Sequence, residues 1–253
     1  MMLKGKIAWV TGGGTGIGRA GAEELAAAGA LVVVSGRRAG ELEEVKAAIA
    51  AKGGEAEVAT LDVTNKTQVA EVGAGIIAKH GHVDILVNSA GMNVPNRYWK
   101  NQTPEAFQSV IDANLQGTLN AIMAVLPKMR ERKDGLVINI SSWAGRFDPL
   151  FTGAAYNASK HAVVALTLHL NMEECVNGIR ACVICPGEVA TPILLKRPVP
   201  PSEAEMARML QGEDLGRTIR FVAEMPPRVC LNEIVISPTW NRIWLGGEDL
   251  PKR

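Results

Sequence analysis

Residues 7–29 read IAWVTGGGTGIGRAGAEELAAAG. Four apolar residues give way to a run of glycines, and the glycines to an alanine-rich stretch with helical spacing. A short apolar run bounded by glycine reads as a buried strand. The order strand, glycine turn, helix is the first half of a βαβ unit. Gly12, Gly16 and Gly18 stand in a G-x-x-x-G-x-G spacing. Without side chains there, backbone amides can approach a pyrophosphate, and a helix can begin close to its strand with its N-terminus toward the negative charge. A second match, G-x-G-x-x-G at Gly16, Gly18 and Gly21, begins too far from the strand and puts its last glycine inside the helix. No GK[ST] follows, so the loop is not that of a nucleoside-triphosphatase.

Outward from this unit the same rhythm repeats. Apolar runs occur at 31–35 (LVVVS), 56–61 (AEVATL), 83–88 (VDILVN), 136–141 (LVINIS), 179–185 (IRACVIC) and 232–237 (NEIVIS). With 7–10 they predict about seven strands buried on both faces, as in parallel sheets. Helical patterns lie between them, at 18–29, within 41–53 and 67–81, over 104–133 (PEAFQSVIDANLQGTLNAIMAVLPKMRERK), 156–176 and near 213–224. Strand–helix alternation predicts one α/β domain over 1–253, a doubly wound parallel sheet with helices on both faces. The stretch 187–211, rich in proline, breaks the rhythm. It reads as an insertion over the strand ends, a substrate lid or a plain surface loop.

Composition narrows the partners. Lys plus Arg number 27 against 26 Asp plus Glu, and aromatics are 4%. Such a balance gives no field for nucleic acid or anionic membrane, and few aromatics argue against a base-stacking platform. No run approaches the roughly 20 apolar residues of a membrane span. The N-terminus lacks an apolar h-region with a small-residue cleavage site, so the expected location is the cytoplasm. Cys182 and Cys185 form a CxxC, but within a strand, where residues three apart face opposite ways. No second cysteine or histidine pair completes a metal set, and no metal is expected.

Ligands of doubly wound sheets bind beyond the C-terminal strand ends, so function is read from the residues after each strand. After the first come Gly12, Thr15, Gly16, Ile17 and Gly18. After the second come Arg37 and Arg38, where an NAD site wants a carboxylate for the ribose hydroxyls. Two arginines can instead pair with a 2′-phosphate, which points to NADP(H) over NAD(H). An exposed arginine pair at a helix start is the plain alternative. After the third come Asp62 and Val63; the acid can accept from an adenine amino group or cap a turn at Thr64. After the fourth come Asn88, Ser89, Ala90 and Gly91, small enough for a flat ligand. After the fifth come Ser141 and Ser142, and fourteen residues beyond Ser142 stands Tyr156, with Lys160 one helical turn further. An ammonium beside a phenol favours the phenolate and lowers its pKa from near 10, which suits acid/base work. After the sixth come Pro186, Gly187, Val189 and Thr191.

Together, TGGGTGIG, Asp62, NSAG (88–91), Asn114, the serine pair, YNASK (156–160) and PGEVAT (186–191) resemble the short-chain dehydrogenase/reductase family over nearly the whole chain. The resemblance implies a Rossmann-like fold and hydride transfer between a nicotinamide dinucleotide and a small-molecule carbonyl or alcohol. It implies that Gly12, Gly16 and Gly18 hold the pyrophosphate, Asp62 the adenine, and Thr191 the carboxamide. Asn88 would steady the central sheet and Asn114 keep a water on the path from Lys160 to solvent. Ser142 would be the catalytic serine and Tyr156 the acid/base. Lys160 would hold the nicotinamide ribose and lower the tyrosine pKa. It further implies a homotetramer assembled through helices 105–130 and 156–176. Ser89 departs from the commoner asparagine, and the span from Ser142 to Tyr156 is one residue longer than usual. The ending LNEIVISPTW is similar to that of NADP-dependent 3-hydroxy acid and serine dehydrogenases. Trp143, Phe151, Asn93, Tyr98, Glu188 and segment 193–210 are positioned to line a substrate pocket. An NAD-linked alcohol or polyol dehydrogenase is the alternative enzyme. A non-catalytic dinucleotide-binding regulator is the alternative outside enzymes, and it should have lost part of the Ser-Tyr-Lys set.

Overall fold

The computed structural model describes residues 2–197, 199–241 and 243–244. Its strands are β1 (Ile7–Thr11), β2 (Leu31–Gly36), β3 (Glu55–Thr60), β4 (Ile85–Asn88), β5 (Gly135–Ile140), β6 (Ile179–Pro186) and β7 (Glu233–Ile236). They form one sheet in the order β3-β2-β1-β4-β5-β6-β7, every pair parallel. The order reverses between β1 and β4, so the crevice above those two strands is the switch point where such sheets bind ligands.

Helices α1 (Gly16–Ala27), α2 (Ala39–Ala51), α3 (Lys66–His80), α4 (Pro104–Ile111), α5 (Gly117–Arg132), α6 (Ala154–Glu174), α7 (Glu203–Met206) and α8 (Gly212–Ala223) alternate with or follow the strands among the described residues. The pleat divides the core in two. Ala8 and Val10 of β1 pack with Leu25, Val45 and Ile219 on one face; Trp9 packs with Val69, Val125 and Met129 on the other. Alternate strand side chains point to opposite faces, so both faces of the central strands are largely apolar, and the polar residues within them, such as Thr11, Asn88 and Asn139, are buried.

Four details differ from the sequence expectation. The outer strands are not buried on both faces: β3 and β7 are partly exposed along their length, because an edge strand lacks a neighbour on one side. The single helix expected over 104–133 is broken by a π-helical turn at Asp112–Gln116, and its Pro127 is accommodated within α5. The helix expected at 156–176 begins two residues earlier, behind Gly153, and closes in a 3₁₀ turn at Cys175–Asn177. The stretch 187–211 is more ordered than a plain loop. It carries a 3₁₀ turn at Pro192–Lys196, the short α7 with a reciprocal Ser202–Glu205 cap, and a bridge from Val189 to Leu210 that closes its base. Cys182 and Cys185 fall in different core clusters. Burial pushes their thiols up to about 12 and about 11, so neither supplies a thiolate at neutral pH.

Candidate active site

A cleft of about 550 Å³ lies over the strand ends at the switch point. Its floor is the glycine turn. Gly12 has φ +67°, and a Cβ there would stand 2.6 Å from the Ala90 nitrogen; only glycine permits both the left-handed backbone and the contact with β4's end. A Cβ on Gly18 would stand 2.3 Å from the Gly12 carbonyl oxygen, so helix and turn touch because neither has a side chain. Gly21, by contrast, meets Ile219 of α8 and serves helix packing. Gly18→Ala is therefore expected to cost about 1–3 kcal/mol of stability in urea unfolding, with weakened dinucleotide binding. Wild-type values for both would show that the turn yields freely.

The first turn of α1 contains no acidic residue, leaving its N-terminal amides for an anion. Thr15, Gly16 and Ile17 line the cleft there. At the far end Arg37 is exposed and lies 3.9 Å from Asp62, while Arg38 is bound at 2.7 Å to Glu41. Asp62 also accepts from the Thr64 amide at 3.0 Å and hydroxyl at 2.9 Å, so it forms a local turn as well as facing the cleft. Glu41 is a carboxylate that the strand-end pattern does not flag; it sits in α2, outside the positions where such an acid is sought. Val63, Ala90, Gly91, Pro186, Gly187, Val189 and Thr191 complete the lining on this side.

Ser142, Tyr156 and Lys160 meet in the middle. β5 ends immediately before the serine pair. Ser141 turns inward and donates to the Lys160 carbonyl at 2.9 Å. The Ser142 oxygen accepts from the Ala144 amide at 3.1 Å and its hydroxyl faces the phenol of Tyr156. Tyr156 sits in the first turn of α6, and the Lys160 ammonium is 5.6 Å from its ring centre.

The electrostatics differ from expectation. Burial pushes the Tyr156 phenol above its usual 10. The Ser142 hydroxyl and the charges of Arg197 and Arg97 pull it down. The lysine donates instead to the Ile140 carbonyl at 2.9 Å, directed at the strand end rather than the phenol. Burial in turn pulls Lys160 down to about 8.

Three expected site residues stand outside the cleft lining. Gly18 lies beneath it, against Gly12. Asn88 is buried within the sheet; it accepts from Thr11 at 3.3 Å and donates to Asn139 at 2.9 Å, and Asn139 donates to Thr167 at 2.8 Å. That chain ties β1, β4, β5 and α6 and engages the Asn88 side chain within the sheet. Asn114 is also buried, its side chain accepting from the Met92 amide at 2.7 Å and donating to the Met92 carbonyl and Ser159 at 3.0 Å each. Its side chain clamps the Gly91–Asn93 loop rather than opening into the cleft. Trp143, Phe151, Asn93 and Glu188 do line the substrate side, as do Ile193, Leu194 and Arg197 from segment 193–210; Tyr98 does not. Arg97, missed from sequence, lines it too. It stands nine residues past β4 in a polar loop with no periodic signal, and only the fold brings it beside Phe151.

The family model for short chain dehydrogenases matches residues 6–198, which contain the turn, Ser142, Tyr156 and Lys160. The chain belongs to that family. An uncharacterised oxidoreductase of Staphylococcus epidermidis is 32% identical over 236 residues, 93% of this chain and 98% of the relative. A metagenomic short-chain oxidoreductase solved with NADP shares 30% identity at a TM-score of 0.82, covering 94% of this chain and 99% of its own. An alcohol dehydrogenase of the archaeon Thermococcus sibiricus, solved with 5-hydroxy-NADP, shares 26% at 0.83 over 94% and 98%. This short-chain dehydrogenase is thus an NAD(P)-dependent oxidoreductase on a Rossmann-like sheet. No helix among its described residues is long and apolar enough to cross a membrane.

Proposed function

We propose that the enzyme moves a hydride between NADP(H) and the carbonyl or alcohol carbon of a small molecule, with Tyr156 as acid/base. The observation that carries this reading is the meeting of Tyr156, Ser142 and Lys160 in the cleft that the Gly12 turn and the α1 N-terminus also line. Those residues fit a dinucleotide: a left-handed glycine against Ala90, an acid-free helix start, and an exposed arginine beyond β2. When bound, the nicotinamide supplies or accepts the hydride.

The chain's own residues do the rest. The Ser142 and Tyr156 hydroxyls hold the substrate oxygen, and Tyr156 gives up its proton as negative charge develops there. A phenol held above 10 is fully protonated at neutral pH, the form that carbonyl reduction requires. Lys160 holds the nicotinamide ribose. Asn114 supports this arrangement as a positioning residue, through Met92 and Ser159. Segment 187–211 closes over the substrate through Ile193 and Leu194. The homotetramer belongs to this reading as well: Met123 on α5 and Met172 on α6 present exposed apolar side chains, and light scattering at the monomer mass would remove it.

The neighbours solved with NADP and 5-hydroxy-NADP support the phosphate-bearing cofactor, as does Arg37, whose nearest acid is 3.9 Å away. Glu41 favours the alternative, an NAD-linked alcohol dehydrogenase, if it leaves Arg38 for a ribose. Titration with NADPH and NADH, followed by nicotinamide fluorescence, separates the two. NADPH should bind more tightly, by about tenfold or more, and Arg37→Ala should erase the difference. Equal or tighter NADH binding would sink the NADP(H) assignment, and binding of neither would sink the enzyme reading.

A further inference from the structure

Two guanidinium groups converge on the substrate side of the cleft. Arg97 is only 5% exposed. Its Nε donates to the Val94 carbonyl at 2.8 Å, and one terminal nitrogen reaches the Phe151 carbonyl at 3.4 Å. Arg197 follows the 3₁₀ turn at Pro192–Lys196. It donates to Glu188 at 2.6 Å, and its guanidinium lies 5.3 Å from the centre of the Phe151 ring. Phe151 thus brings the two arginines together, one on its carbonyl and one on its ring. Both line the same cleft as Ser142 and Tyr156, and the charge of each is felt at the phenol.

This is a costly arrangement for a structural clamp. A buried charge needs a partner, and among the described residues no carboxylate lies within ion-pair distance of Arg97; Glu188 is engaged by Arg197. Burial and the repulsion of Arg197 both weaken Arg97's hold on its proton. Two backbone carbonyls would be satisfied by a neutral amide at far lower desolvation cost. Among the described residues, Arg197 is ion-paired with Glu188 and Arg97 is bonded to backbone carbonyls alone, so a ligand's negative charge would meet a guanidinium that no carboxylate neutralises there. A guanidinium fork matches a carboxylate in shape as well as sign.

We propose that Arg97 and Arg197 seat a carboxylate on the substrate, so that the enzyme acts on a short oxo acid or hydroxy acid. The proposal rests on the carbonyl/alcohol reading above, in that the carboxylate is held where the substrate's reacting oxygen can reach Tyr156 and Ser142. Phe151 and Leu194 give its hydrocarbon a wall.

The test is calorimetric titration of butanoate and butanamide, alike in shape and different in charge, into protein saturated with NADP⁺. Wild type should bind butanoate about tenfold more tightly than the amide, and Arg97→Gln should bring the two within about threefold. Glutamine keeps a donor for the loop carbonyls, so a purely structural Arg97 would leave the preference unchanged. Arg197→Gln provides a second reading should the first variant fold poorly. Equal or absent binding of the two ligands by wild type, or a preference that survives both substitutions, overturns the proposal. Failure of the dinucleotide reading is separate. It appears as no NADP⁺ binding, in which case butanoate and butanamide are titrated into the protein alone and the arginine site is still judged.

Discussion

Replacing Tyr156 with phenylalanine is expected to lower kcat for carbonyl reduction by about 10³-fold or more, within the range a positioned proton donor contributes. The substitution removes one oxygen and leaves the ring, which is half-buried beside Ser142 and 5.6 Å from the Lys160 ammonium. NADPH affinity and thermal stability should therefore stay near wild type. The pH dependence is set by the direction of the phenol's shift. Burial holds Tyr156 above 10, so the proton donor is intact across neutral pH and reduction should be flat there. Alcohol oxidation needs the phenolate, so its rate should climb with pH through the alkaline range, and Tyr156→Phe should abolish that climb. A variant that keeps wild-type kcat, or a reduction rate that falls steeply between pH 6 and 7, would exclude Tyr156 as the acid.

Lys160→Met should inactivate the enzyme and make it more stable. The ammonium is buried, and burial pulls its pKa from 10.5 to about 8; a shift of that size corresponds to about 3 kcal/mol of destabilisation. Its hydrogen bond to the Ile140 carbonyl, at 2.9 Å, returns about 1 kcal/mol. Methionine fills a similar volume without charge, so a net gain of about 1–2 kcal/mol is expected at pH 7, or a few degrees in Tm for a chain of this size. The sign with pH is fixed by linkage. Both folded and unfolded states hold the proton below about pH 8, so the penalty is fully present there. It fades as pH rises toward 10.5, because the folded protein loses the proton first. The stability of wild type should thus approach that of the variant between those limits. Equal stability at pH 7 would mean that the ammonium is better solvated than its position implies. A functional group kept at the expense of stability is expected where a site needs charge in a dry place.

The doubly wound sheet is legible in the amino-acid order alone, and for a physical reason. Strands buried on both faces, such as VVV at 32–34, must be largely apolar, with polar exceptions such as Asn139 paired inside the fold, and glycine turns must lack side chains where backbones touch, as Gly12 does at Ala90. Both constraints are local and leave their mark on consecutive residues. The positions of Tyr156, Lys160 and Ser142 in the cleft are legible too, since Ser142 follows a strand end and the other two share one face at the start of the helix after that strand. Relations between distant segments, in contrast, are settled only by folding. Asn88 and Asn114 are bound to neighbours rather than open to a ligand, because their partners, Asn139 in one case and Met92 and Ser159 in the other, come from elements brought close only in the packed chain. The lysine's direction toward Ile140 and the burial that moves both its pKa and that of Tyr156 depend on the packed surroundings. Arg97 and Arg197 are a hundred residues apart in loops without periodicity, and their meeting at Phe151 is a property of the folded surface, where charge and burial are set by what comes near.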